Sequence, residues 1–235
     1  VFSFSVNQNN FLGRGSKLSL TFDNSDVSED YSFTYNNPYY TLDGVSRGFG
    51  LFIKETDAGE ADVSDYTSDE IGGHIAYGIL LNETDRLGFR FELANIQLDT
   101  TSSTPAHITD YLSLNGREFN TLTMIGSWSR DSRNRAFFAT KGSSARAALE
   151  LTGGDLEYYK ISYDHRWFYS ISDNLTLALK GFVGYGDGLG GTEELPFFEN
   201  YYAGGVRSVR GYDGNSLGPL DSNQNPRGGN MKVLG

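Results

Sequence analysis

The sequence predicts an all-β chain that crosses a membrane as an antiparallel barrel. Three features point there. Apolar and polar residues alternate with period two along segment after segment, while helical spacing is hard to find. Aromatic residues gather toward the ends of the apolar faces, as an interfacial girdle requires. Connections tend to alternate between short turns and long, acidic loops, the asymmetry expected of the two ends of a transmembrane barrel.

Ten segments carry the alternation, at residues 2–6, 18–22, 31–35, 49–53, 71–81, 87–94, 122–128, 145–152, 159–167 and 175–185, and residues 231–234 open an eleventh. In the sixth, Leu87, Phe89, Phe91 and Leu93 alternate with Gly88, Arg90, Glu92 and Ala94. In the tenth, Leu175, Leu177, Leu179, Val183 and Tyr185 share one face, with Thr176, Ala178, Lys180 and Gly184 on the other. Tyr159, Ile161, Tyr163 and Trp167 do the same in the ninth. Phe89, Phe91, Leu175, Leu177, Leu179 and Trp167 are therefore expected to face lipid. The opposite faces mix charges of both signs, as in Arg90 with Glu92, Arg146 with Glu150 and Asp164 with Arg166, which suits a wet lumen. Alternation alone fits a soluble sandwich too, because its polar face meets water.

The connections separate the two. The short set comprises residues 9–16, 36–44, 82–86, 131–142 and 169–174, and the long or acidic set 23–30, 55–70, 99–119, 152–157 and 186–230. The middle of the chain is less regular, since 131–142 exceeds 152–157. The carboxylates Asp57, Glu60, Asp62, Asp65, Asp69 and Glu70 all fall in the long set.

Composition narrows the function classes. With 19 Lys+Arg against 30 Asp+Glu the chain carries a net charge of −11, which opposes binding to nucleic acid. There is no cysteine, so neither disulfides nor thiolate metal sites can form. No apolar run approaches the roughly 18 residues of a membrane helix. The longest, residues 75–81, is broken by Gly78. Any signal peptide is expected upstream of Val1.

Few constellations carry chemistry. Gly186, Gly188 and Gly191 satisfy GxGxxG in the run Gly186, Asp187, Gly188, Leu189, Gly190, Gly191, yet no helix is expected after them, and Glu193 and Glu194 stand where phosphate would need a helix N-terminus. Asp187, Glu193 and Glu194 could ring a calcium ion or, more simply, stay hydrated. No metal or cofactor is expected. Of the histidines His74, His107 and His165, His165 follows Asp164, but neighbours on a strand point to opposite faces and cannot form a base–orienter pair. The segment 200–219 mixes apolar, glycine and cationic residues. Val206, Val209 and Tyr212 so close together suggest a loop that folds inward, with Arg210 seeking a carboxylate through its planar fork, although a solvated arginine fits the composition as well.

Here the sequence resembles the family of outer-membrane barrels that includes protein-assembly factors and two-partner secretion transporters. The family's V-R-G-[FY] motif is matched by Val209, Arg210, Gly211 and Tyr212. The assembly-factor branch is more narrowly suggested by residues 184–191 and 195–205, by 37–46, and by Asp131-Ser-Arg-Asn-Arg through Thr140-Lys-Gly142. The matches span nearly the whole chain.

The resemblance implies a sixteen-stranded barrel preceded by periplasmic POTRA domains, with residues 1–235 supplying the second strand to the start of the twelfth. Loop 186–230 would fold inward from outside, its glycine-rich start at Gly186, Asp187, Gly188, Gly190 and Gly191. It also implies an outer-membrane location in a Gram-negative bacterium and a non-enzymatic role without nucleotide or covalent chemistry: folding and inserting β-barrel clients. Partners would be unfolded outer-membrane β-barrel clients, accessory assembly lipoproteins, and outer-membrane lipid and lipopolysaccharide, with no nucleic acid. A passive or protein-translocating pore is the alternative. Arg210 would pin the loop in the lumen by ion pairing to acids beyond Gly235, Gly211 would permit close backbone approach, and Tyr212 would pack beside it. Ten or eleven strands leave two open edges, which lipid does not tolerate, so these residues alone are not expected to be the working unit.

Overall fold

In the computed structural model, which describes residues 2–61, 63–206, 208–221 and 224–235, the alternating segments form one antiparallel sheet. The strands are β1 (Phe2–Phe11), β2 (Ser16–Asn24), β3 (Ser28–Asn37), β4 (Ser46–Asp57), β5 (Tyr66–Leu80), β6 (Asp85–Thr100), β7 (Glu118–Asp131), β8 (Gly142–Gly154), β9 (Tyr158–Ser172), β10 (Leu175–Gly188) and β11 (Met231–Leu234). They lie in chain order, each paired with its neighbours in sequence. Among the described residues β1 and β11 do not pair, so the sheet stays open. No second sheet covers it among the described residues, which removes the sandwich.

Register separates the two faces. One row runs Ile79, Leu87, Trp128, Ala147, Tyr163, Val183, Val233, directly opposite one another across seven strands. A row on the other face runs Ala76, Arg90, Ile125, Glu150, Lys160, Gly186. The apolar face is bare: Phe91 is 41% and Leu177 40% exposed, and Phe89, Leu175, Leu179 and Trp167 are exposed beside them. In water, a sheet this apolar on one side would have to bury that side.

Buried side chains collect elsewhere, at the end of the sheet that carries the longest connections. There Ile96, Leu98, Phe119 and Tyr158 on the inner face pack with Ile108, Leu112, Leu195 and Phe197 from the connections. Ile108 and Leu112 belong to α1 (Ala106–Asn115), which the sequence reading missed. Pro105 precedes the helix, and Gly116 (φ 89°) ends it with its N–H donating to the Leu112 carbonyl. Only two buried residues one turn apart advertise this helix. Its packing on the sheet, rather than a long apolar stripe, accounts for it.

Two connections of the long or acidic set are short. Residues 25–27 alone join β2 to β3, and residues 155–157 join β8 to β9. The Ser25 hydroxyl donates to the Ser28 carbonyl at 3.0 Å and closes the first turn. Asp23 and Asp30 are directly opposite in the ladder instead of in a loop. Hydrated carboxylates tolerate strand geometry, so acidity does not imply irregular backbone here. Asp69 and Glu70 likewise belong to β5, and Asp62 lies outside the described residues. Gly186, Asp187 and Gly188 still belong to β10, so the long connection begins at residue 189, with Gly190 and Gly191 in its first turn.

Among the described residues no helix is long and apolar enough to cross a membrane, which says nothing of crossing by strands.

Candidate functional site

The inner face and the loop seated on it form the most built-up polar site. On β6, Arg90 donates from Nε to the Glu92 carboxylate at 3.0 Å, and its Nη2 lies 3.0 Å from His74 Nδ1 on β5. His74 lies across from Gly50, where a Cβ would come within 2.5 Å of the imidazole, so the glycine makes room for the ring. Glu150 and Lys160 are opposite each other on β8 and β9. Lys160 Nζ donates to Glu199 at 2.8 Å. Arg90 and Lys160 thus each meet a carboxylate on this face.

Glu199 comes from the long connection. After β10 the chain turns at Gly190 (φ 55°), and Gly191 N–H donates to the Glu157 carboxylate at 2.9 Å. Glu157 N–H in turn donates to the Thr192 hydroxyl at 2.9 Å. Leu195, Pro196 and Phe197 then enter the buried cluster. The Phe197 ring meets Tyr66 and Tyr111 edge-on at 5.1 and 5.4 Å. A 3-10 turn, Phe197–Glu199, delivers Glu199 to Lys160. Lys160 Nζ also stands 5.1 Å from the centre of the Tyr201 ring, which lies against Phe182. Gly184 gives Tyr201 its space, since a Cβ there would meet the ring at 2.8 Å. At the base, Tyr201 and Gly229 exchange backbone hydrogen bonds at 2.8 and 3.0 Å, and Gly186 N–H donates to Asn230 O at 2.8 Å.

The motif 209–212 sits farther out. Gly205 N–H donates to Tyr212 O at 3.0 Å, and the Ser208 hydroxyl closes a small turn on Gly204. Val209 is half-buried, while Arg210, Gly211 and Tyr212 are exposed. Arg210 forms no ion pair among the described residues. Nothing approaches within 4 Å of a Cβ placed on Gly211; its φ of 90°, rather than close packing, is what calls for glycine. Within this chain the loop is held by Lys160, Glu199 and the 195–201 segment, none of which the sequence reading singled out as a pin. The signal was Leu195-Pro-Phe-Phe, too apolar for a hydrated loop.

The other candidates do not come together. The three glycines of GxGxxG straddle the end of β10, and a turn rather than an α-helix follows. Asp187 accepts from the Tyr185 hydroxyl at 2.8 Å and from Gly188 N–H at 2.9 Å. Among the described residues no three His, Cys, Asp or Glu side chains cluster as a metal site. His165 is on the apolar face beside Tyr163, and Asp164 on the other.

A recess of about 450 Å³ opens between α1 and the loop, lined by His107, Tyr111, Phe197 and Arg227 among others. Burial and then the Arg227 cation hold the His107 pKa below its ordinary 6.5. Burial pushes the Tyr111 and Tyr202 hydroxyls up to about 12, so both stay protonated.

The chain has several known relatives. Residues 10–235 match the Omp85 superfamily domain. The chain is 33% identical over 232 residues to the outer membrane protein assembly factor BamA of Neisseria meningitidis serogroup B, covering 93% of this chain and 29% of that protein. It is 23% identical over 239 residues to BamA of Nitratidesulfovibrio vulgaris, covering 98% and 29%. Among solved structures it superposes on BamA from Haemophilus ducreyi lacking POTRA domains 1–3 with a TM-score of 0.89 at 26% identity, covering 98% of this chain and 48% of that one. The chain thus spans 29% of the length of these curated relatives.

Two outcomes follow from this geometry. In a double-mutant cycle, Lys160→Ala and Glu199→Ala should show a coupling of about 0.5–3 kcal/mol, read from denaturant unfolding. Separately, a depressed His107 pKa means its neutral form is favoured in the fold, so its contribution is present above pH 6.5 and fades as pH falls through the lower, folded value. Protease cleavage within 189–230 should accelerate as the pH falls below 6.5 through the lower, folded value, and His107→Gln should flatten that response.

Proposed function

The chain belongs to the Omp85 superfamily, and from that footing we propose that it is the barrel wall of an outer-membrane protein assembly factor in a Gram-negative bacterium. The observation that carries the reading is the pairing of a bare apolar face with a charged inner face on which an external loop is seated, in a chain whose relatives are named for assembly. Clients would be unfolded β-barrel proteins. Burial of their apolar surface in lipid supplies the driving force, roughly 25 cal/mol per Å². Their strand edges would pair with an edge of the barrel, because unpaired backbone in hydrocarbon is costly. No nucleotide or covalent step is needed. Accessory lipoproteins, outer-membrane lipid and lipopolysaccharide are the remaining partners in this reading, and POTRA domains and further strands would complete a sixteen-stranded protein.

Phe89, Phe91, Leu175, Leu177, Leu179 and Trp167 are assigned to lipid. Leu177→Arg in the full-length protein should cost about 2–4 kcal/mol near the bilayer midplane, measured by unfolding from vesicles. A neutral effect would remove lipid from that face. Val209, Arg210, Gly211 and Tyr212 are assigned to the lumen of the completed barrel, with Arg210 ion-paired to a carboxylate on the strands that close it. Arg210→Ala should slow client insertion in proteoliposomes and expose the loop to protease. Wild-type stability with full insertion would overturn the pin, and conductance without insertion would select a passive pore.

A further inference from the structure

At the short-turn end, the inner face carries a second polar feature. Lys17, Arg86 and Arg146 line one recess of about 540 Å³, together with Asn36, Ser127 and Ser129. Arg86, Ser129 and Arg146 form a single cross-strand row over β6, β7 and β8. Two strand spacings put the arginine backbones roughly 9–10 Å apart, with the serine hydroxyl between them. Gly78 and Gly88 also line the recess and keep its floor low.

Three other cations on this wall are ion-paired, while Lys54 on β4 and Lys180 on β10 stand singly, outside this recess, without an ion pair among the described residues. Arg90 is paired with Glu92, Lys160 with Glu199, and Arg166 with Asp164 at 3.6 Å. Lys17, Arg86 and Arg146 have no ion pair among the described residues. The nearest carboxylates are ion-paired to other arginines, with Arg86 acting on Asp131 only at longer range. Asp164, directly opposite Arg146, is the one held by Arg166. Asp131, two residues beyond Ser129, has its two oxygens held by Arg133 at 2.9 and 2.7 Å. Two guanidinium forks and an ammonium, left unpaired around a concave polar floor, are the donors of an anion site.

We propose that this recess binds an acidic polypeptide segment through Arg86, Arg146 and Lys17. The proposal rests on the barrel reading, which makes this face lumenal. Bilayer headgroups are on the far side of the wall and cannot reach it. A polypeptide entering at the short-turn end can. Entry from the opposite end is opposed by Asp57 at the end of β4 and by Glu60, Asp65, Glu157, Glu193 and Glu194 in the connections there.

The test uses full-length protein in detergent micelles and a labelled hexaglutamate peptide, with hexaglutamine as the uncharged control. Hexaglutamate should bind, hexaglutamine should not, and R86Q/R146Q should weaken binding at least tenfold. R86K/R146K, which keeps the charge and loses the forks, should fall between. R135Q, a cation in the 132–141 turn and outside the recess, should bind as wild type. Equal binding by R86Q/R146Q, or equal weakening by R135Q, would overturn the site. Competition by inorganic phosphate at the peptide's own concentration would overturn the polypeptide assignment, because an isolated anion would then suffice. Client insertion is assayed on the same preparations, so equal hexaglutamate binding by R86Q/R146Q and wild type, with insertion intact, refutes this proposal and leaves the assembly reading standing.

Discussion

A strand that crosses hydrocarbon has nowhere to send its amides and carbonyls except to another strand. That constraint organises the molecule. It requires a continuous ladder, which the register provides from Phe2↔Asn24 to Phe182↔Leu234 with shifts only near the strand ends, at Asn9/Phe11 and Leu175/Thr176. It also makes side-chain parity strict, because a slip of one residue would turn Leu177 and Leu179 inward and Lys180 out into the apolar row. The two-faced character of the sheet is the signature of a wall between two solvents, one of them oil.

With the wall in place, the buried core has only one location open to it. It gathers where the strands rise beyond the apolar belt and the connections fold over the inner face. Leu98, Phe119 and Tyr158 supply the sheet side of that core, and Ile108, Leu112, Leu195 and Phe197 supply the cover. The Lys160–Glu199 pair lies just below, where apolar packing gives way to charged wall. Partial burial makes this pair worth more than a surface bridge, and it also orients the 3-10 turn that carries Phe197.

Most of the sheet was legible because strand alternation is a local pattern that lipid enforces at each position. Leu87 through Ala94 could be read without knowing any neighbour. The connections were less legible. Asp23 to Asp30 looked like a loop because acidity was taken as a sign of irregular backbone, when hydrated strand ends are as acidic. Helix α1 was missed because its stability comes from Ile108 and Leu112 docking on a distant strand, which no period within ten residues reveals. The seat of the loop was missed for the same reason: Lys160 and Glu199 are ordinary charges until the fold brings them to 2.8 Å.

The chain-order meander has a kinetic corollary. From β1 to β6 and from β7 to β10 each ladder joins adjacent hairpins, so loop-closure entropy is small at those steps and the sheet can lengthen like a closing zipper. The cover over Leu98 and Phe119 joins stretches remote in the chain, since it needs Ala58, Ile108, Leu156 and Phe197 at once. Maturation of the wall and of its lid are thus separable events, and the lid, assembled from the latest-arriving segment, is the natural last stage.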